Sequence, residues 1–368
     1  MSRVPDDPHR SDRPLKSGWT TGACATAATT AAFRALATGA FPDPVTITLP
    51  GGETPSFALS RQDLEDGMAR AGVIKDAGDD PDVTHGAEII VTVRRGSPGS
   101  GVRFFAGEGV GTVTKPGLPI APGEPAINPA PRQMMTDAIE RIAHECGTGG
   151  DAEITVSIPG GEKIAEKTMN GRLGIRGGLS VLGTTGIVKP YSCSAWIHAI
   201  RSGIDVARAE GVDHIAGATG KTSEAAVQAL LGLPETALID MGDFVGGMLK
   251  YLRDNPVPRL TIAGGFGKLS KLAGGHMDLH SARSQVDFAA LSRALDTLGA
   301  DADVCTKTKN ANTTAEVLDL AGPLAGALVA HIAEGARTIA ADVAPATDIA
   351  VVVVGRDGTI LARTDGGP

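Results

Sequence analysis

Acidic side chains crowd one short segment, IKDAGDDPDVTHG, which spans residues 74–86. The side chains concerned are Asp76, Asp79, Asp80, Asp82 and His85. Carboxylates and an imidazole in one loop can act as a base or as substrate anchors when their surroundings tune their pKa values. Glycine, proline and aspartate are also the residues of ordinary turns, in which aspartate side chains bond to nearby backbone groups. The spacing leaves the catalytic and the structural interpretation open.

A second group of candidates lies in three glycine-containing turns, GATGKT (217–222), DMGD (240–243) and GGFGK (264–268). Each turn follows a predicted strand, and in a parallel sheet such turns share the edge at which ligands bind. Backbone N–H groups at helix starts favour negatively charged groups there. Asp240 stands about 20 residues beyond Gly220, a distance that suits a ribose-binding carboxylate. Ordinary tight turns are the alternative. The candidate ligand-binding residues are Gly217, Gly220, Asp240, Gly264, Gly265 and Gly267.

Other ligand motifs are incomplete. ATGKT resembles part of a Walker A loop, but the first glycine of that pattern falls on Ile215, so we reject a P-loop kinase or ATPase. No GxGxxG follows a predicted strand, and the glycine-rich signature of the common methyltransferase fold is absent. His276, Asp278 and His280 would share one face of a strand. Because no fourth ligand is evident, we interpret these three residues as solvated polar side chains and predict no metal site.

Composition narrows the class of protein. The 368 residues suggest two domains. A net charge of −8 and a pI of about 5.5 argue against a nucleic-acid binder. Four widely spaced cysteines without a CxxC pair fit reduced thiols in the cytosol. The polar start has no signal-peptide core, and no run approaches the roughly 18 apolar residues of a membrane span. We therefore expect a cytoplasmic protein without a membrane partner.

Residues 15–210 are predicted to form an α+β domain with an internal duplication. VTITLPGGE (45–53) recurs as ITVSIPGGE (154–162), and the TTG of SGWTTG recurs in VLGTTG (181–186). Predicted helices span 21–38, 132–145 and 192–210, and predicted strands span 44–50, 55–59, 87–93 and 102–105. Gly39 provides a typical helix end.

Residues 211–368 are predicted to form a Rossmann-like α/β domain, because strand and helix patterns alternate there. Residues 1–14 are polar and proline-rich and are predicted to be a disordered tail. The predicted strands of the second domain are 213–218, 236–240, 259–264 and 348–355, and its predicted helices are 222–232, 243–254, 286–298, 313–322 and 324–337.

Several long and unusual segments resemble the CbiD family of cobalamin biosynthesis. They are LKSGWTTGACATAATTAAF (15–33), VIKDAGDDPDVTHGA (73–87), GEGVGTVTKPGLPIAPGEPAINPAPR (107–132), NGRLGIRGGLSVLGTTGIVKP (170–190) and GKLSKLAGG (267–275). These matches run in order from about residue 15 to 290, and the chain after 300 adds little to the resemblance.

The resemblance implies an S-adenosylmethionine-dependent methyltransferase that methylates C1 of cobalt-precorrin-5B to give cobalt-precorrin-6A. A corrin-ring precursor carries many carboxylates, so an acidic protein needs local cations to bind it. The cations in loops of the matched segments are Lys115, Arg172, Arg176, Lys189, Lys268 and Lys271. The glycine turns of the second domain would then offer the site for the adenosyl donor.

The two TTG segments could hold acetate or propionate groups by their hydroxyl and N–H groups, or could simply cap helices. Their residues are Thr20, Thr21, Gly22, Thr184, Thr185 and Gly186. Given the resemblance, we interpret the 76–85 loop as part of the active site, with a base or a sulfonium partner among its four aspartates and His85.

Two other classes of function stay open. A non-enzymatic carrier of corrinoid intermediates would bind the ring but not the donor. A nucleotide-dependent phosphotransferase would use GATGKT, against which the broken Walker pattern counts. The sequence leaves open whether the protein forms a homo-oligomer or contacts other cobalamin-pathway enzymes.

Overall fold

The structure, a computed structural model, describes residues 14–364. It divides into two compact units, Met1–Ser192 and Cys193–Pro368. The helix Cys193–Ala209 belongs to the second unit, so the domain boundary that we predicted at residue 210 lies one helix too late. Apart from Pro14, the predicted disordered tail lies outside the described residues.

A buried helix, α1 (Thr21–Thr38), is the centre of the first unit. The Thr20 hydroxyl caps it by accepting the Ala23 N–H at 3.1 Å, and Gly39 ends it with a φ of 83°. The sequence predicted both ends correctly. Because alanine and threonine make up most of its surface, neighbouring elements can approach α1 closely, and helix α2 (Pro129–Cys146) and the main sheet both pack on it.

The main sheet of the first unit has five strands in the order β4-β5-β6-β9-β7. Its neighbours are antiparallel except for β7 and β9, which run parallel. The strands are β4 (Arg61–Glu65), β5 (Met68–Ile74), β6 (Glu88–Arg95), β7 (Val102–Ala106) and β9 (Ala152–Ser157). Alternate residues of β9 are buried, as expected for a sheet with one face on the core.

Six short strands pair two by two around this sheet. The pairs are β1 (Gly18–Trp19) with β11 (Ile187–Val188), β2 (Val45–Thr46) with β3 (Ser56–Phe57), and β8 (Thr112–Val113) with β10 (Ile175–Arg176). A short helix, α3 (Gly161–Ala165), follows β9. The predicted strands at 44–50 and 55–59 are thus much shorter than expected.

The structure does not support the predicted duplication. The first VTITLPGGE-type segment contributes only the two-residue strand β2, whereas its echo contains the six-residue strand β9 of the main sheet. The first TTG leads directly into α1, whereas strand β11 follows the second. The repeated letters therefore adopt different structures.

The sheet of the second unit has the order β13-β12-β14-β15-β16. The first four strands are parallel, and β16 is antiparallel to β15. The strands are β12 (His214–Ala218), β13 (Leu238–Asp240), β14 (Arg259–Gly265), β15 (Asp348–Val354) and β16 (Ile360–Arg363). The mixed α and β class that we predicted is confirmed.

Helices surround this parallel sheet. They are α4 (Cys193–Ala209), α5 (Lys221–Leu231), α6 (Val245–Asp254), α7 (Phe266–Ala273), α8 (Phe288–Thr297), α9 (Ala302–Lys309), α10 (Thr314–Ala321) and α11 (Ala325–Val343), with 3₁₀ turns at Glu235–Ala237 and Gly322–Leu324. We predicted neither α7 nor α9. The segment from His276 to His280, which we considered as a strand, is a loop.

By length and composition alone, one helical stretch within residues 14–364, Thr314–Val343, could cross a membrane. It consists of two helices separated by a 3₁₀ turn. Leu328, Ile332 and Ala336 of α11 pack in the core of the second unit. The apolar character of the stretch is therefore partly explained by core packing.

Candidate functional site

The aspartate loop is held by hydrogen bonds at each of its acidic positions. Asp76 accepts from the Lys16 ammonium at 2.6 Å and from the Gly78 N–H at 2.8 Å. Asp79 accepts the Lys16 backbone N–H at 2.6 Å. The bond from Lys16 holds the pKa of the Asp76 carboxyl below its usual value. The loop and the chain before β1 are therefore joined by two carboxylate contacts, both with Lys16.

Asp82 forms the most buried ion pair of the loop. Its Oδ2 lies 2.7 Å from the ammonium of Lys75, whose side chain is only 1% exposed. Its Oδ1 accepts the Thr84 N–H at 2.8 Å and the Thr84 hydroxyl at 2.6 Å. Burial raises the pKa of Asp82, but the Lys75 and Thr84 bonds outweigh it, and the net pKa is lowered. A lowered pKa makes a weaker base, so this geometry favours a structural role.

His85 and Asp80 also have partners. The His85 Nδ1 accepts the Ala77 N–H at 3.1 Å, which places the proton of a neutral ring on Nε2. That nitrogen would donate to a substrate rather than take its proton. Asp80 accepts the N–H of Tyr191 at 2.9 Å. Tyr191 is 69% exposed and has a φ of 55°, a left-handed conformation that is uncommon for tyrosine.

The two TTG segments lie side by side, although they are about 160 positions apart in the chain. The Thr21 hydroxyl donates to the Leu182 carbonyl at 3.2 Å and accepts the Leu182 N–H at 2.9 Å. The Thr20 N–H donates to the Gly186 carbonyl at 3.0 Å. A Cβ added at Gly183 would lie 2.2 Å from the Thr20 hydroxyl, so only glycine allows this approach.

Within this pair, the two segments differ in what they leave accessible. Thr20, Thr21 and Gly22 are buried, and a Cβ on Gly22 would lie 2.7 Å from Pro131. Thr184 and Thr185 are exposed. Capping and packing therefore explain the first segment, and the second segment presents its hydroxyl groups to solvent.

The predicted cations of the first unit group around one strand pair. Lys115 follows β8, and Arg172 and Arg176 flank the start of β10, its partner strand. The Thr114 N–H donates to the Gly174 carbonyl at 2.8 Å, which holds the two chains together. Lys189, the fourth cation, follows β11 and is exposed. Beyond β10 the chain leads directly to Leu182 and the TTG pair.

The glycine turns of the second unit meet at the carboxyl edge of its parallel strands, as predicted. From β12 the chain passes through α5 to β13 on one side, and from β13 through α6 to β14 on the other. The connections therefore reverse direction between β12 and β14, and ligands of such sheets bind beyond the carboxyl ends of the strands at a reversal of this kind. Gly220 and Gly265 stand at the starts of α5 and α7 on either side of this reversal.

The six predicted donor-site residues are not equivalent. A Cβ at Gly220 would meet nothing within 4 Å, and one at Gly265 would meet only the Val354 carbonyl at 3.9 Å. By contrast, a Cβ at Gly217 would lie 2.6 Å from the Met248 side chain, and a Cβ at Gly264 would lie 2.8 Å from the Thr219 side chain.

Gly267 packs near Thr314, and a Cβ there would lie 3.0 Å from the threonine hydroxyl. Packing alone therefore explains Gly217, Gly264 and Gly267. Gly220, Gly265 and Asp240 remain as the residues at the open edge.

The two predicted lysines of α7 have different surroundings. The Lys268 ammonium donates to the Thr219 carbonyl at 2.9 Å and lies 3.1 Å from the Asp243 carboxylate. Lys271 is 8% exposed, and its ammonium donates to the Leu279 carbonyl at 2.8 Å. Lys268 therefore lies at the carboxyl edge of the sheet, whereas Lys271 is part of the core and is poorly placed to bind a substrate.

Sequence reasoning missed four residues that contact the predicted site segments: Lys16, Lys75, Tyr191 and Trp196, whose indole N–H donates to the Asp240 carbonyl. Lys16 and Lys75 hold the aspartate loop, and the only available signal was that both are charged residues beside apolar ones. Tyr191 and Trp196 are exposed aromatic residues in a chain with just 3% aromatics. That rarity was a usable signal.

Within residues 14–364, no group of three or more His, Cys, Asp or Glu side chains is arranged to hold a metal ion. Asp278 instead accepts the His280 N–H at 3.0 Å and pairs with Arg283 at 3.0 Å.

The chain is 58% identical over 352 residues to a protein of Paramagnetospirillum magneticum, which covers 95% of this chain and 98% of the relative. It is equally similar to a protein of Brucella canis, over 95% of both chains. Both relatives carry the name cobalt-precorrin-5B C(1)-methyltransferase. These relatives are methyltransferases of a corrin-ring precursor.

The chain belongs to the CbiD family. Residues 8–190 match the family model CbiD, and residues 278–365 match the model of the CbiD C-terminal domain. The family likeness therefore includes the chain after residue 300, where we had predicted little resemblance. A crystal structure of a cobalamin biosynthesis protein (cbiD) from Archaeoglobus fulgidus is 27% identical, covers 71% of this chain and 80% of its own, and has a TM-score of 0.39.

Proposed function

We propose that this protein transfers the methyl group of S-adenosylmethionine to C1 of cobalt-precorrin-5B, giving cobalt-precorrin-6A in cobalamin biosynthesis. The observation that carries the proposal is the 58% identity over 95% of the chain to relatives that bear this name. The four cysteines form no disulfide, which is compatible with the cytoplasmic location that we also propose.

The chemistry requires little from the protein beyond orientation. The sulfonium already makes the methyl group electrophilic, so a C1–CH₃ bond forms as the S–CH₃ bond breaks and S-adenosylhomocysteine leaves. Holding the ring carbon in line with this methyl group converts the encounter into an intramolecular step, which is a large rate effect. No residue needs to form a covalent intermediate.

We propose that S-adenosylmethionine binds at the carboxyl edge of the parallel strands of the second unit, as a dinucleotide does in a Rossmann fold. Asp240 would accept hydrogen bonds from the ribose hydroxyls, and Gly220 and Gly265 would let backbone N–H groups approach the methionine carboxylate. The carboxylates of Asp240 and Asp243 favour a cationic sulfonium over a triphosphate. The Lys268 ammonium links the loops at this edge of the sheet through its contacts with the Thr219 carbonyl and the Asp243 carboxylate.

The ring precursor would use the first unit. We propose that Arg172, Arg176, Lys115 and Lys189 bind its carboxylates, with the exposed hydroxyl groups of Thr184 and Thr185 beside Gly186. The aspartate loop would shape this surface, and the Nε2–H of His85 would donate to a substrate oxygen. General-base roles for Asp76, Asp79, Asp80 and Asp82 stay a prediction, which their present partners make less favourable.

The two rival functions are less well supported. For a phosphotransferase, Ile215 would have to belong to a flexible glycine loop, but it lies fully buried within β12. A carrier would bind the ring without the donor, and the residues of the first unit alone do not distinguish it from an enzyme.

Calorimetric titration with S-adenosylhomocysteine distinguishes these functions. We expect saturable binding at micromolar strength by the wild type and no binding of ATP with Mg²⁺. The titration is repeated with the corrin precursor present, because ordered addition could hide the donor site. Absence of binding under both conditions would overturn the methyltransferase proposal and leave the carrier. Binding of ATP with Mg²⁺ alone would favour the phosphotransferase.

A further inference from the structure

Trp196 is an exposed aromatic residue that is nevertheless held in place. It is one of two tryptophans in the chain and is 45% exposed near the start of α4. Its indole Nε1–H donates to the backbone carbonyl of Asp240 at 3.0 Å. The Phe244 ring lies 6.2 Å away, between centroids, at an angle of 46°. Because a hydrogen bond and an aromatic neighbour hold it, this exposed tryptophan is preorganised.

Gly242 makes this arrangement possible. A Cβ added there would lie 3.2 Å from the indole Cζ2 and 3.3 Å from Cε2. Gly242 also has a φ of 54° and donates its N–H to the Ala218 carbonyl, so it is anchored to the end of β12. The indole therefore rests against the DMGD turn.

The position of the indole is at the proposed donor site. Asp240 ends β13 and is in register with Ala218, the last residue of β12. The indole is bonded to this same Asp240, so it lies at the carboxyl edge where the parallel strands end. Sequence analysis assigned a ribose-binding role to Asp240 but assigned nothing to Trp196.

We infer that Trp196 is the stacking platform for the adenine ring of the methyl donor. This inference rests on the proposed function and adds a named base-binding residue to it. A flat heteroaromatic base such as adenine stacks on the face of an indole ring. The Trp196 side chain is already held in place, so it would not have to move when the base binds. The ribose of the same ligand would then lie toward the side chain of Asp240, the residue whose backbone carbonyl anchors the indole.

Tryptophan fluorescence tests the inference directly. The variant Trp19→Phe leaves Trp196 as the only tryptophan, so its emission reports on this site alone. We expect S-adenosylhomocysteine to change that emission saturably, with the dissociation constant that calorimetry gives. In Trp196→Phe, which retains only Trp19, the same titration should leave the emission unchanged.

Affinity provides the second measurement. Trp196→Ala should weaken S-adenosylhomocysteine binding about tenfold, which corresponds to about 1.4 kcal/mol, because the adenine would lose its stacking surface. Trp196→Phe keeps an aromatic face and should recover part of the affinity. Leu230→Ala is the matched control, since it removes an exposed apolar side chain near the end of α5, at the opposite end of the sheet. It should bind like the wild type.

The outcomes separate two failures. If the wild type binds S-adenosylhomocysteine but Trp196→Ala binds it within twofold of wild type and the Trp196 emission does not change, the inference is wrong and the proposed function stands. If the wild type does not bind it with or without the ring precursor, the proposed function itself fails. A thermal unfolding midpoint of Trp196→Ala close to that of Leu230→Ala excludes general misfolding as the cause of lost affinity.

Discussion

At the scale of single residues, the buried pair of Lys75 and Asp82 is the contact that makes the aspartate loop possible. Lys75 is almost fully covered, whereas Asp82 retains 26% of its side-chain exposure and has two bonds from Thr84. Loss of the carboxylate therefore strands a charge that water cannot reach. Loss of the lysine leaves a carboxylate that still has partners.

We therefore predict that Asp82→Asn destabilises the protein more than Lys75→Met does. Removing one partner of a buried ion pair costs about 3–5 kcal/mol of stability when the other charge stays buried without a partner. Denaturant unfolding measures the free energy, and the double variant should be more stable than Asp82→Asn alone. Lys16→Met, which removes an exposed partner of Asp76, is the control and should change stability little. Wild-type stability in Asp82→Asn would contradict a stabilising contact between Lys75 and Asp82.

The same pair predicts a pH dependence. The folded-state pKa of Asp82 is below its unfolded value of about 3.9. Its stabilisation is therefore fully present above about pH 4 to 5 and is lost as the pH falls through the lowered folded pKa. The difference in unfolding free energy between wild type and Asp82→Asn should be constant near neutrality and should narrow in acid. If the free-energy difference widens in acid instead, the pKa of Asp82 is not lowered in the folded protein and the prediction is wrong.

The residue scale also shows what sequence could not predict. The crowding of Asp76 to Asp82 was visible, but the partner Lys16 lies 60 positions earlier and Tyr191 lies 111 positions beyond Asp80. Spacing along the chain carries no information about such contacts. A structural and a catalytic loop therefore have the same sequence signature until the long-range partners are known.

At the scale of elements, the start of α1 is held by a helix cap and by close packing against the second TTG segment. Thr20 caps the helix, and Gly183 packs directly against its side chain. We predict that Thr20→Ala costs about 1 kcal/mol of stability through loss of the cap, and that Thr20→Ser retains most of it. Denaturant unfolding of the two variants measures both. Equal stability of Thr20→Ala and wild type would exclude the capping role.

Thr185→Ala is the matched control from the second TTG segment. Its side chain is exposed and bonds only to Ile187 among the described contacts. This variant should unfold like the wild type and should instead raise the KM for the corrin precursor. A large loss of stability would show that both segments are structural.

Local signals decided which elements were predictable. Helix α1 has a threonine cap and a glycine end, so both ends were read correctly. Helix α7 begins inside the glycine-rich GGFGK turn and was missed because glycine usually indicates a loop. Strands β4 and β5 join across a tight turn at Gly67 and mix charged with small residues, so their alternation was weak. The repeated PGGE motif misled us because turn chemistry recurs in unrelated places.

At the scale of the whole molecule, an acidic protein is proposed to bind an acidic ring. The net charge of −8 repels a polycarboxylate at long range, so affinity depends on the few local cations. We predict that Arg176→Gln and Lys189→Gln each raise the KM for the corrin precursor about two- to fivefold. The dissociation constant of S-adenosylhomocysteine should not change in either variant.

Lys250→Gln provides the control for that charge effect, because Lys250 is an exposed cation on α6. It changes the net charge by the same amount. A rise in KM equal to that of Arg176→Gln would mean that overall charge, rather than local contacts, governs ring binding. Steady-state kinetics at one ionic strength measures all three variants.

Transfer of a labelled methyl group tests the central claim most directly. The full-length protein is incubated with cobalt-precorrin-5B and S-adenosylmethionine that carries a ¹³C-labelled methyl group, and the product is examined by mass spectrometry and NMR. The account predicts one added methyl group, with the label on C1 and S-adenosylhomocysteine released in equal amount. A ring precursor that binds the protein and is recovered without label would contradict it.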